Sequence, residues 1–154
     1  MLQNILSKIW RRFPAGVRRW SMRLSNARFT ATAGAVILNK ERKVLLLKHF
    51  FRAGSGWGIP GGFIHEGEQP IDALRRELQE EIGLEIDDVE FFWARSFKRP
   101  RQIELLFRGV TSGEPKIQSM EVEHASWFAL DGLPPGLPAD QKLLIERAVE
   151  NWRV

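Results

Sequence analysis

Residues 62–84 read GFIHEGEQPIDALRRELQEEIGL, and this stretch decides the fold. Pro70 suits the first turn of a helix, where its missing N–H is no loss, and Gly83 supplies a C-terminal stop. Between them Ile71, Leu74, Leu78 and Ile82 recur at helical spacing and form one apolar stripe. Glu77, Glu80 and Glu81, at i, i+3 and i+4, share the side of the helix next to that stripe. Three like charges there repel one another, a cost with no folding benefit of its own. Clustered hard oxygen ligands suit Mg²⁺ or Mn²⁺. Arg76 can neutralise or orient part of the cluster, including Glu80 at i+4. Taken without their surroundings, three glutamates also fit a solvated acidic helix after a tight turn.

Upstream, Trp57-Gly58-Ile59-Pro60-Gly61-Gly62 leads into the helix. Glycines permit close backbone approach and can present a carbonyl or amide to a metal or a phosphate. Further back, residues 29–38 and 43–48 (KVLLLK) predict two strands joined by a turn at Asn39-Lys40, hence a hairpin. Downstream, residues 86–97 and 102–110 predict strands joined by the basic turn Lys98-Arg99-Pro100-Arg101. Residues 122–128 predict another strand. Asp140 is expected to cap a last helix with Leu144, Ala148 and Trp152 along one stripe. Strands with two interspersed helices predict an α/β layered domain over residues 29–154.

The first 28 residues differ in kind. They carry seven Lys and Arg and no acid, so the net charge of +4 leaves −3 for the remainder. The basic character therefore belongs to an N-terminal arm, and the domain itself has no strong nucleic-acid signal. Within the arm, residues 2–13 predict a short amphipathic helix interrupted by Pro14 and Gly16. Packing on the chain's own domain, or on a second copy in a homodimer, is the plainest use for it. Contact with an anionic membrane surface and help in holding an anionic substrate are the alternatives. The chain of 154 residues has no cysteine, which excludes disulfides and thiolate metal sites. No apolar run approaches the ~20 residues needed to span a bilayer. A cytoplasmic setting is the expectation.

The spacing from Gly62 is specific: five residues, Glu68, seven residues, then Arg76-Glu77-Leu78-x-Glu80-Glu81-x-Gly83-Leu84. It resembles the Nudix box, G-x5-E-x7-R-E-U-x-E-E-x-G-U with U aliphatic, at every specified position. Trp127-Phe128-Ala129-Leu130 and Leu133-Pro134 also look like the family's later segments. The resemblance implies an α/β/α sandwich on a mixed sheet and hydrolysis of a nucleoside diphosphate linked to another moiety. It implies Mg²⁺, with Mn²⁺ as a substitute, held by Glu77, Glu80, Glu81 and the Gly61 carbonyl. Arg76 would hold the glutamates, and Glu68 would stabilise the loop and helix. Family members differ in the carboxylate that takes the proton from the attacking water; here Glu81, Glu121 and Glu123 are the candidates.

Substrate identity is not encoded in the box. Pro100, sixteen residues past Leu84, resembles a feature of ADP-ribose hydrolases and favours a nucleotide-like diphosphate of the ADP-ribose or nucleotide-sugar type. Arg99, Arg101 and Arg108 can meet phosphates, Glu104 can contact metal or substrate, and Trp57, Phe63 or Trp93 can stack on a base. Each also has an ordinary structural explanation. A triphosphate-cleaving pool sanitiser and a nucleotide-sensing domain without catalysis are the competing functions, the second opposed by the intact box.

Overall fold

Residues along the two most apolar strands alternate between opposite faces, and both faces are covered. In the computed structural model, which describes residues 11–17, 27–150 and 152, β1 (Thr30–Leu38) and β2 (Val44–His49) are buried along most of their length. Ala33, Ala35, Ile37, Leu45 and Leu47 share a core with Ala73, Leu74, Leu78 and Ile82 of α1 (Pro70–Ile82). Val36, Leu38, Val44 and Leu46 share a second core with Leu144, Ile145 and Ala148 of α2 (Ala139–Val149). A strand covered on both faces has no polar side, which is why KVLLLK reads as a continuous apolar run. Each fully buried leucine contributes on the order of 1.5–3 kcal/mol. One helix against each face makes the α/β/α sandwich.

The sheet has seven strands among the described residues. The others are β3 (Trp57–Gly58), β4 (Gly61–Phe63), β5 (Asp87–Phe97), β6 (Gln102–Val110) and β7 (Val122–Phe128). The order is β3-β2-β1-β6-β5, with β4 also pairing β1 and β7 pairing β2. β1 and β6 run parallel from Thr30↔Gln102 to Leu38↔Val110, and the remaining pairs are antiparallel. The sheet is therefore mixed. β4 occupies the Thr32–Gly34 end of β1 while β2 starts at Leu38, so Gly61 and Gly62 are laid directly on β1.

α1 stops where expected. Gly83 is left-handed at φ 59°, and its N–H donates to the Gln79 carbonyl while that of Leu84 donates to Leu78. α2 begins differently from the expectation. Pro138 is its N-cap, without a side-chain capping bond, and Asp140 lies inside the first turn. The Asp140 carboxylate instead takes a hydrogen bond from Arg95 Nη1 of β5 at 3.0 Å. Most of the arm helix expected over 2–13 lies outside the described residues. Residues 11–12 and 15–17 are helical, so Pro14 breaks the segment but Gly16 does not. No helix among the described residues is long and apolar enough to cross a membrane.

Candidate active site

Arg76 gathers the acidic residues of α1 and its approach loop. Its Nε donates to Glu68 Oε1 at 2.9 Å and its Nη2 to Glu68 Oε2 at 3.1 Å. Nη1 donates to Glu77 Oε1 at 3.0 Å and to Glu80 Oε2 at 3.3 Å, and Nη2 also reaches the Phe63 carbonyl at 2.9 Å. A planar fork with five N–H groups can make all five of these bonds, whereas a lysine ammonium has three donors on a single nitrogen. The Arg76 guanidinium, with the His65 N–H at 2.9 Å, holds the Glu68 carboxyl well below the usual carboxylate range, to about 2. A depressed carboxyl stabilises the fold above its unfolded value and loses that contribution as pH falls through the folded one. Glu68→Gln is expected to flatten the acid limb of the stability profile between about pH 4.5 and 2, measured as urea midpoints across that range.

The three glutamates are not equivalent. Glu80 is open, with a side chain 62% exposed, whereas those of Glu77 and Glu81 are 17% and 11% exposed. Glu81 Oε1 lies 2.9 Å from His49 Nε2 at the end of β2. Glu81 Oε2 is buried with no hydrogen-bond partner. Among the described residues no three carboxylates or imidazoles converge as a ready-made metal cage. Glu77 and Glu80 each give an oxygen to Arg76 and Glu81 gives one to His49. The oxygens that remain are hard donors, and a cation at Glu81 Oε2 would satisfy a buried acceptor that has nothing else. The residues present fit a divalent metal.

Gly61 and Gly62 hold the other side of this site. Gly61 is at φ 149°, and a Cβ there would run into the Ala33 carbonyl and Gly34 Cα across the β1–β4 pair. A Cβ at Gly62 would overlap the Glu77 carboxylate, so that carboxylate lies against bare backbone. Gly61→Ala is expected to cost at least about 2 kcal/mol from strain and overlap, read as a lower denaturant midpoint.

A cleft of about 260 Å³ opens beside the glycines, lined by Arg52, Gly61, Gly62, Phe63, Gln102, Glu104 and Gln141 among others. Burial pushes the Arg52 guanidinium below its usual range, against the pull of the Glu81 and Glu104 carboxylates. Glu104, expected from the sequence to contact metal or substrate, lines the cleft and is held from behind by Arg95 through Oε2. Gln141 reaches in from α2 and accepts a hydrogen bond from Ile59 N–H at 3.1 Å. Phe63 is exposed at the same cleft. Arg52, His49, Gln102 and Gln141 escaped the sequence reading, because nothing in their local spacing marks them.

Other expected contacts sit elsewhere. Trp57 belongs to the second core, edge-on to Phe128 at 5.0 Å. Trp93 is in the same core under Arg147 at 4.0 Å, and Arg108 pairs with Glu90 and lies over Trp152. Arg99 and Arg101 are exposed on the β5–β6 turn, next to Gln102 at the cleft. Of the alternative bases, Glu123 is ion-paired to Lys48 at 2.9 Å, and Glu121 is exposed where its carbonyl accepts the Phe50 N–H.

A glycine strand laid beside a helix of arginine-gathered glutamates, within an α/β/α sandwich, is the arrangement of a Nudix fold. The NUDIX domain family model matches residues 28–148, and the chain belongs to that family. The NAD-capped RNA hydrolase NudC of Vibrio vulnificus is 29% identical over 121 residues, covering 77% of this chain and 46% of that protein. This chain thus spans under half the length of that relative. The structure of the MutT NUDIX hydrolase from Burkholderia pseudomallei superposes with a TM-score of 0.70 at 26% identity, covering 79% of this chain and 98% of that one. The NUDIX domain of Shewanella oneidensis NrtR, complexed with ADP ribose, gives a TM-score of 0.67 at 23% identity, covering 94% and 96%. At that identity the last likeness speaks to the fold alone.

Proposed function

We propose that this chain is a Nudix pyrophosphohydrolase that cleaves the diphosphate of a nucleoside diphosphate linked to a further moiety. Glu77, Glu80, Glu81 and the Gly61 carbonyl would hold the divalent metal, Mg²⁺ or Mn²⁺. The observation that carries the reading is the buried, unsatisfied Glu81 Oε2 beside the Arg76-gathered glutamates.

A diphosphate resists hydrolysis because its negative charge repels a nucleophile. The metal, when bound, offsets that charge and lowers the pKa of a bound water. The chain's own residues do the rest. Arg76 holds Glu77 and Glu80 in place and Glu68 fixes Arg76. Arg52, a cation in the cleft with no hydrogen-bond partner for its guanidinium among the described residues, binds a phosphate oxygen. Of the candidate bases, Glu81 is the one that stands at the metal-holding cluster, while Glu123 is committed to Lys48 and Glu121 is exposed just before β7. The cleft is smaller than the roughly 300–1,000 Å³ of sites that enclose a drug-sized ligand, so it takes one moiety of the substrate. Its amides and the Glu104 carboxylate suit hydroxyl groups, which favours an ADP-ribose or nucleotide-sugar type. The relatives named as NAD-capped RNA hydrolases support a nucleoside diphosphate linkage of the same chemical kind.

The test is a panel of ADP-ribose, nucleotide sugars, dinucleotides and nucleoside triphosphates with Mg²⁺ and Mn²⁺ at mildly alkaline pH. The expected products are a nucleoside monophosphate and a phosphorylated partner. Pyrophosphate released from a triphosphate would replace this substrate class with the pool-sanitising one. Absence of both turnover and metal binding by calorimetry would replace it with a sensing domain.

A further inference from the structure

Two buried side-chain polar atoms among the described residues have no hydrogen-bond partner, and they belong to one contact: Nδ1 of His49 and Oε2 of Glu81. The atoms between them, His49 Nε2 and Glu81 Oε1, are 2.9 Å apart, and both side chains are 11% exposed. A carboxylate oxygen accepts, so the hydrogen bond requires the proton on Nε2. Nδ1 faces no acceptor, so a proton there would be a buried donor left unmade. Both considerations select the same tautomer. A core histidine kept only for packing would be expected to satisfy both nitrogens, and this one satisfies the nitrogen aimed at Glu81 alone.

The backbone is built to aim it. His49 is the last residue of β2, and the register with β7 shifts between Lys48 and His49. Lys48 faces His124 and His49 faces Val122, so Glu123 is an extra residue on β7. A bulge of this kind re-aims the side chains beside it. Lys48 turns to Glu123, and His49 turns to Glu81. The loop that follows is closed by the His49 N–H donating to the Gly56 carbonyl and the Phe50 N–H to that of Glu121. Gly56, at φ 78°, admits no Cβ because it would meet the His49 carbonyl.

We propose that His49 is a positioning residue: its Nε2–H fixes Glu81 Oε1, so that Oε2 is the oxygen left to act at the reacting centre. This rests on the reading of Glu81 above. A group that orients a ligand or base through one hydrogen bond affects turnover about ten- to hundredfold when removed.

Three measurements test it. Nitrogen-15 NMR of the imidazole in the metal-free protein should place the proton on Nε2, whether or not a substrate is in hand. His49→Phe should lower kcat ten- to hundredfold with KM within about twofold. His49→Gln, whose side-chain amide can offer an N–H to the same oxygen, should recover most of the loss, with both variants checked by thermal melting. A proton on Nδ1 with none on Nε2, wild-type kcat in His49→Phe, or equal impairment of the two variants would overturn the proposal. Glu81→Gln separates the failures. Full turnover in that variant would overturn the reading of Glu81 and the role of His49 with it. Loss there with indifference to His49→Phe would overturn the role of His49 only.

Discussion

Glu80→Gln is expected to lower kcat by about a thousandfold while leaving the melting temperature within about 2 °C of wild type. The first figure follows from charge neutralisation by a held metal, which supplies several kcal/mol at roughly 1.4 kcal/mol per tenfold in rate. The second follows from the residue's surroundings. The Glu80 side chain is 62% exposed and its single ion pair, to Arg76, is 3.3 Å long. Exposed pairs of this kind contribute about 0–1 kcal/mol, and neutralising Glu80 also relieves repulsion from Glu77 at i−3. Steady-state kinetics and calorimetry on one preparation check both halves. A variant that melted far lower with its activity intact would remove Glu80 from the metal site.

Arg76→Ala should do the reverse of what an exposed substitution does and damage both stability and turnover. The guanidinium is 23% exposed and serves Glu68, Glu77, Glu80 and the Phe63 carbonyl together. Breaking a buried pair costs about 3–5 kcal/mol because the partner charge stays behind. For a site about one-quarter open, about 2–3 kcal/mol is expected. In a chain of this size that corresponds to a fall in Tm of roughly 5–10 °C. Arg76→Lys should recover little, since one ammonium cannot reproduce the fork. Full recovery by lysine, in either Tm or kcat, would show that charge alone accounts for the role of Arg76.

What the sequence made legible was local. The apolar stripe of α1, its Gly83 stop and the buried run KVLLLK follow from period and cap chemistry, and the structure has all three. The Glu77, Glu80 and Glu81 spacing placed the carboxylates on one side of a helix, although their unequal exposure depends on what packs against each. The remainder of the site is built by contacts across the chain. His49 meets Glu81 from 32 positions away, and Gln141 reaches Ile59 from 82. No periodicity within either segment records that meeting. Asp140 is not the cap because the helix starts before it, at Ala139 after Pro138, and its carboxylate accepts from Arg95 of a distant strand. Trp57, one of the aromatic residues that can stack on a base, is partly buried beside the second apolar core and edge-on to Phe128.

The parallel pairing of β1 with β6 has a consequence for how the protein is made. Synthesis runs from the N-terminus, and the partner of Thr30 is Gln102. One side of the central strand therefore stays open while α1, with its glutamates, has already left the ribosome. That open edge belongs to a strand apolar from Ala33 to Leu38 and presents unpaired amides, the kind of surface on which nascent chains join one another. Until residues 102–110 have been made, the sheet lacks the strand that closes this edge.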